Sequence, residues 1–373
     1  MYPRRLTSPA RALYLSGTAL TSVGHVSMYV CGVTPYDVTH LGHAATYVWA
    51  DAADRVLRWA GHRVSVARNV TDVDEVLYRH AAEQGAEPTM FGALQRASFE
   101  ATMRSLRVRE PDVNPTVGQA VGHVIQLGAA LLLRDAAYVR DGSVYARTRR
   151  AATVADIDED SARVLAAEYR DAPEDPRKEH PLDVLVWRAA APEDALRWPS
   201  PWGEGRPGWH AGCTAMVLAQ FGSSVDLHCG GADLAFPHHA CETVMAEAAT
   251  GVAPFARTWL RAGIVSIDGH KMAKSSGNLM LVDELLREHS AAAVRLLCLN
   301  RQWASGWSYE PGDLTAAATT LDALYAAAGR SGDTGSASCE ALLNDLDVPT
   351  ALAIALHTGG SCARELIELL ALG

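Results

Sequence analysis

Residues His25 to Cys31 (HVSMYVC) form a β-rich run closed by Gly32, and a second such run, Val64 to Val70, follows a helical pattern. After the turn-rich Thr34-Pro35-Tyr36-Asp37, the stretch from Gly42 to Ala60 carries Val48, Ala52, Val56 and Trp59 at helical spacing, and Gly61 stops it. Strand, crossover helix and strand make a unit whose two strands pair in parallel. Parallel sheets are covered on both faces and bind ligands at the carboxyl ends of their strands. Cys31 and Thr71 both fall at such ends. This one pattern places the chain in the α/β class.

The rest of the chain extends the pattern. Pro111 to Pro207 reads as an insertion, with one good helix (Val117 to Leu133) and then charged, Pro-containing segments. Sheet character resumes near Val225-Asp-Leu-His228, a helix follows Pro237, and Gly263 to Gly269 reads as a strand ending in a turn. From Leu281 onward the chain is mostly helical. Gly329 to Ser338 has linker composition, and Val348 to Leu372 reads as one last helix. The expected division is 1–110 and 208–280 as the two halves of a catalytic domain, 111–207 as the insertion and 281–373 as a helical carboxyl-terminal region.

Composition narrows the function. At 373 residues with 49% apolar and 20% charged side chains, the chain can bury a large core. No apolar run reaches the roughly 18 residues of a membrane span, and the start lacks the apolar segment of a secretory signal, so no membrane partner is expected. Seven scattered cysteines do not form a disulfide framework and fit cytoplasmic thiols, some of them metal ligands. A formal net charge of −10 offers no footprint for a nucleic-acid backbone.

Two segments point to nucleotide chemistry. His40-Leu-Gly-His43 lies between the first strand and its helix, where two imidazoles flanking a glycine can let a triphosphate approach a helix amino terminus. Lys271-Met-Ala-Lys274-Ser275 follows a later strand, and two lysines on a loop can neutralise charge on departing pyrophosphate. Each motif alone is weak. Their joint occurrence in this order and strand context is not.

These segments resemble the HIGH and KMSKS signatures of class I aminoacyl-tRNA synthetases. MYVCGVTPYD, NVTDVDE, GRPGWHAGCTAM, DLHCGGADLAFPHH and DGHKMAKSSGNL narrow the likeness to the cysteinyl branch. THLGHAATY, LVWRAA with WPSPWGEGRPGW, and NDLDVPTALAIAL bring it closer to the cysteine ligases of mycothiol biosynthesis, over nearly the whole chain. The resemblance implies a Rossmann-type nucleotide-binding catalytic domain with an insertion, followed by a helical region. It also implies activation of L-cysteine by ATP, with Mg2+, as cysteinyl-adenylate.

The same resemblance implies a Zn2+ site at Cys31, Cys213, His238 and Glu242, two thiolates, an imidazole and a carboxylate. His238 and Glu242 stand four apart, on one face of a helix. Catalytic roles fall to His40, His43, Lys271 and Lys274. Asp233 would take the substrate ammonium, with Thr71 and Trp209 completing the amino-acid pocket, although core packing is the plain alternative for Trp209. Gly32, Thr34, Thr46, Asn69, Gly231, Val265 and Ser275 would contact the adenylate. Cys229 and Cys241 read as packing thiols near the metal.

Several positions depart from the resembled pattern. Ala273 replaces the serine of KMSKS, Gly212 replaces the acidic residue before the second metal cysteine, Cys229 interrupts His-Gly-Gly-Gly, and Ala240 follows the paired histidines. Glu242 is a feature of the tRNA synthetases rather than of the ligases. The expected acceptor is the amine of a small amino sugar of the glucosaminyl-inositol type. The departures leave another amine or carrier in a specialised pathway open. A tRNA acceptor is unexpected, because the chain ends at Gly373 without an anticodon-reading domain. Monomer and dimer both stay open.

Overall fold

The computed structural model describes residues 10–20, 22–34, 39–192, 194, 196–272, 277–331 and 335–373. An amino-terminal hairpin, β1 (Leu13–Leu15) and β2 (Thr18–Leu20), precedes β3 (His25–Val33), α1 (Leu41–Trp59) and β4 (Arg63–Val70). As the hydrophobic pattern requires, β3 and β4 pair in parallel, with Met28 opposite Val66 and Val30 opposite Arg68. Helix α1 crosses between them, burying Leu41, Ala45, Val48, Trp49, Ala52, Val56 and Leu57.

Helices α2 (Glu75–Glu83) and α3 (Pro88–Ser105) follow. Then come α4 (Val121–Leu133), β5 (Ala137–Arg140), β6 (Ser143–Ala146), α5 (Ala151–Val154), α6 (Glu159–Glu168), β7 (Val184–Ala189) and β8 (Gly205–Pro207). The chain returns through α7 (Trp209–Phe221), β9 (Val225–Gly231), α8 (Ala240–Thr250) and β10 (Ala256–Ala262). The central sheet has the order β10-β9-β3-β4, all parallel. Its connections run outward in opposite directions from β3 and β9, which makes the carboxyl ends of these two strands a topological switch point.

The stretch read as an insertion contains its own antiparallel sheet, β5-β6-β7-β8. It shares a core with the returning helices: Val124, Leu131, Val186 and Trp187 pack with Ala211, Ala215 and Met245. The predicted helix over 117–133 begins only at Val121. Trp202 and Val186 pack against Gly128 so closely that a Cβ there would lie 2.7 Å from the Trp202 ring.

Beyond β10 the expected strand over 263–269 is shorter. It forms β11 (Val265–Ile267), which turns at Asp268 and Gly269, both with positive φ, into β12 (His270–Lys271). Then follow α9 (Val282–Glu288), α10 (Ala291–Leu299), β13 (Trp307–Ser308), α11 (Asp313–Ala328), α12 (Ala337–Ala341), α13 (Val348–Thr358) and α14 (Gly360–Leu369). The single helix expected over Val348 to Leu372 is therefore two. Gly359 (φ 70°) and Gly360 (φ 57°) adopt left-handed backbone that breaks the helical run. The linker expected over Gly329 to Ser338 falls partly on residues 332–334, outside those described. Its last two residues start α12, and Ser338 is fully buried.

Arg295 in α10 ties this helical region to the sheet. It is fully buried, donates Nη2 to Asp51 of α1 at 2.6 Å, and donates Nη1 and Nε to the carbonyls of Leu106 and Leu370. A lysine keeps the charge but cannot reach three acceptors from a planar fork. Arg295→Lys is expected to lower the unfolding free energy by about 2 kcal/mol, the scale of buried carbonyls losing their donors. Denaturant melts would check it, and an unchanged midpoint would rule the tether out.

Candidate active site

One cleft of about 740 Å³ opens at the switch point. Among the described candidates, all except Glu242 line it: Cys31, Gly32, Thr34, His40, His43, Thr46, Asn69, Thr71, Trp209, Cys213, Gly231, Asp233, His238, Val265 and Lys271. Lys274 and Ser275 lie outside the described residues. Glu242 sits beneath the floor, fully buried on α8.

The floor is built by close backbone approaches. A Cβ on Gly32 would lie 1.5 Å from the Asn69 carbonyl oxygen, so no side chain fits there. The Gly32 amide instead donates to Asn69 Oδ1 at 2.7 Å, and Asn69 Nδ2 donates to Thr71 Oγ1 at 3.3 Å. This chain of bonds couples the ends of β3 and β4. Gly231 ends β9 under Asp233, where a Cβ would meet Oδ1 at 2.4 Å.

On the nucleotide side, His40 caps α1 by accepting the Gly42 amide on Nδ1 at 3.2 Å. Its ring stacks on His43 with centroids 3.8 Å apart. Both imidazoles line the cleft at the amino terminus of α1, where the helix dipole suits an anion. Lys271 reaches across the cleft to Asp233, with Nζ 2.7 Å from Oδ2.

On the opposite wall, Cys31, Cys213, His238 and Glu242 place one donor atom each within 4.8 Å of the others, all buried. His238 Nε2 faces Glu242 Oε1 at 3.7 Å. Both Glu242 oxygens lack a hydrogen-bond partner, an arrangement costly for a buried carboxylate unless a cation satisfies it. The four residues thus fit a zinc ion in donor chemistry, number and burial. Trp209 is not simply core packing. It opens α7 and stacks on His238 with centroids 4.6 Å apart, so its indole borders both the donor group and the cleft.

Residues 18–319 match the family described as tRNA synthetases class I (C) catalytic domain. The chain belongs to this family. A relative from Parafrankia sp. (strain EAN1pec), named L-cysteine:1D-myo-inositol 2-amino-2-deoxy-alpha-D-glucopyranoside ligase, is 43% identical over 337 residues, covering 88% of this chain and 76% of the relative. A ligase of the same name from Streptosporangium roseum is 38% identical over 364 residues, covering 94% and 89%. Among solved structures, Mycobacterium tuberculosis methionyl-tRNA synthetase in complex with methionyl-adenylate superimposes with a TM-score of 0.64 at 15% identity, covering 93% of this chain and 84% of that one. That likeness concerns the fold.

Electrostatics in this synthetase-family enzyme divide the cleft. Burial, then the neighbouring His40 and Lys271, push His43 down to about 3, so its ring is neutral at working pH. Its Nδ1 has no partner among the described residues. Because the folded value lies below the ordinary 6.5, the neutral ring's contribution to stability is complete above pH 6.5 and is lost as pH falls from there toward 3. The ring is expected to show no protonation above about pH 5 in an NMR titration; a His43 resonance titrating near its ordinary value would contradict the assignment.

In the donor group the signs reverse. Cys213 is drawn down to about 6, chiefly by a hydrogen bond from Cys31, whose own thiol burial pushes up. Burial opposes charge on both His238 and Glu242. Their mutual attraction outweighs it, lifting His238 to about 9 and, with help from His228, holding Glu242 below its usual range. The group is thus poised as thiolate and carboxylate.

A second donor group, Cys31, His228, His239 and Glu242, lies beside the first. Arg261 Nε donates to His239 Nδ1 at 3.2 Å. His239 must then keep its proton on Nε2 and has no lone pair there for a metal. His228 Nε2 lies 3.3 Å from Glu242 Oε2 without the alignment of a hydrogen bond, and His228 stacks on Trp259. Cys229 packs in the main core and Cys241 among α4, α7 and α8, as the sequence suggested.

Sequence reasoning missed His210, His228, His239, Asp171 and Tyr169, which lines the cleft with its ring centroid 6.1 Å from that of Trp209. The three histidines stand inside the quoted motifs, and His210 and Cys213 share one face of α7, so a helical projection would have found the first. Asp171 carried no signal, since it lies among charged residues of the insertion. Gly212 has a local reason: a Cβ there would come within 3.3 Å of Val117, leaving little room for the acidic side chain of the resembled pattern.

Proposed function

We propose that the enzyme activates L-cysteine with ATP and transfers it to the amine of a small amino sugar of the glucosaminyl-inositol type, forming an amide. The observation that carries this reading is the convergence, at one cleft, of the Cys31, Cys213, His238 and Glu242 donor atoms, the Asp233 carboxylate and the stacked His40–His43 pair. Ligase relatives matched over most of the chain support the acceptor.

In this mechanism the cysteine carboxylate attacks the α-phosphorus of ATP, which enters with Mg2+, and pyrophosphate departs. His40 and neutral His43, at the amino terminus of α1, bind the phosphates, and Lys271 with Lys274 compensates the charge on the leaving group. Asp233 takes the substrate ammonium, and Trp209 and Thr71 shape the pocket. Cys31, Cys213, His238 and Glu242 would hold zinc, which supplies a site that takes a substrate thiolate and disfavours the harder, less acidic hydroxyl of serine. Gly32, Thr34, Thr46, Asn69, Gly231, Val265 and Ser275 position the adenylate. The acceptor nitrogen then attacks the carbonyl carbon, the bond to AMP breaks, and the amine loses a proton. Arg79, His80 and Arg170 line the cleft beyond these groups and suit a ligand rich in hydroxyls.

The seven buried thiols fit a reducing compartment, and this reading places the reaction in the cytoplasm. No described helix is long and apolar enough to cross a membrane. The test is ATP–pyrophosphate exchange with each amino acid, followed by mass spectrometry with glucosaminyl-inositol or tRNA as acceptor. Cysteine-dependent exchange and an amide product are expected. Charging of tRNA without amide would overturn the acceptor, and exchange driven equally by serine would overturn the thiol selection.

A further inference from the structure

We infer that Asp171 and His210 form a positioning relay that selects the metal-binding tautomer of His238. The inference rests on the proposed metal site and adds to it residues from outside the four donors. His210 is buried, with Nδ1 2.8 Å from His238 Nδ1 and Nε2 2.9 Å from Asp171 Oδ2. Two ring nitrogens at that distance share a single hydrogen, and the far end of the chain decides which carries it. An ionised carboxylate only accepts, so His210 Nε2 is the donor to Asp171. A neutral His210 then has a bare Nδ1, which accepts from His238 Nδ1. When a metal displaces the second proton, His238 keeps its hydrogen on Nδ1 and offers the lone pair of Nε2, the nitrogen turned toward Glu242.

The adjacent His239 shows the opposite outcome. Arg261 fixes its hydrogen on Nε2. Two neighbouring histidines on one stretch of chain are thus given opposite tautomers by an acceptor at one end and a donor at the other. The relay places the ion with Cys213 and His238 rather than with His228 and His239.

The loop that supplies Asp171 is held for this task. It follows α6, and both neighbours, Arg170 (φ 65°) and Ala172 (φ 48°), have left-handed backbone without being glycine. Such conformations persist only where surrounding contacts impose them. The Asp171 amide donates to the Ala166 carbonyl at 2.9 Å, and Lys178 Nζ donates to the carbonyls of Asp171 and Pro181. Partners of this kind orient metal-ligating imidazoles, and their loss commonly weakens metal binding 10–100-fold.

The experiment compares wild type, Asp171→Asn, Asp171→Glu and His210→Phe. Zinc affinity is read by chelator competition, cobalt-substituted protein by its absorption bands, and the His210 tautomer in metal-free protein by imidazole 15N shifts. An asparagine can turn its amide and donate, which reverses the relay, as tautomer reversal does in the comparable Asp–His pair of serine proteases. Expected are a His210 hydrogen on Nε2 in wild type, zinc binding 10–100-fold weaker with altered cobalt bands in Asp171→Asn and His210→Phe, and partial recovery in Asp171→Glu. Wild-type zinc affinity and cobalt spectrum in Asp171→Asn would overturn the relay while leaving the metal site standing. A wild type that binds neither metal would overturn the site, and the relay with it. A hydrogen on Nδ1 of His210 would overturn the relay whatever the metal result, and without depending on how well any variant folds.

Discussion

Cys213→Ser is expected to weaken zinc binding by about 10²–10³-fold and to remove most cysteine-dependent pyrophosphate exchange. Four-ligand zinc sites in small domains are worth roughly 10–16 kcal/mol, or about 2.5–4 kcal/mol per ligand when shared evenly, and each 1.4 kcal/mol is tenfold. The effect should be concentrated at this residue. Cys213 is the thiol drawn down by the hydrogen bond from Cys31, which favours its thiolate. Glu242→Gln should cost less, because a carboxylate is the weaker zinc ligand and the amide oxygen can still coordinate. Metal analysis of protein purified without added zinc would check both. A metal-free wild type with full activity would sink the assignment.

Asp233→Asn should raise the KM for cysteine by roughly 10- to 10²-fold, the scale of a charge-assisted hydrogen bond lost from a carboxylate that is 30% exposed in the free protein. The KM for ATP should move much less, because Asp233 reaches the nucleotide only through its ion pair with Lys271. Asp233 packs directly over Gly231, so its carboxylate has little freedom to be replaced by a neighbour. A cysteine KM within threefold of wild type would show that the ammonium binds elsewhere.

How much of this could be read from the chain follows its physics. The βαβ unit was legible because strand and helix periods are local, and the parallel pairing of β3 with β4 follows from them. The break at Gly359-Gly360 was missed because the apolar spacing continues across it, although a Gly-Gly pair is itself a turn signal. The site was legible where chemistry lies in short segments, as with His40 and His43. Cys31 and Cys213 could be paired only through family resemblance, because nothing local relates them. Asp171 was illegible: its role depends on a hydrogen bond to His210, 39 residues away, and its own segment looks like any charged loop.

The ion pair between Lys271 and Asp233 has a thermodynamic side. If Asp233 receives the ammonium of cysteine, that carboxylate is never vacant: one ammonium leaves as another arrives. The amino acid therefore need not overcome the full penalty of dehydrating a lone carboxylate, and its arrival releases a lysine that ATP can use. Each substrate then raises the affinity for the other by the same factor, since linkage is reciprocal. An amino-acid analogue lacking the α-amine would fill the thiol pocket yet leave the lysine where it is. Such a ligand should bind without tightening ATP.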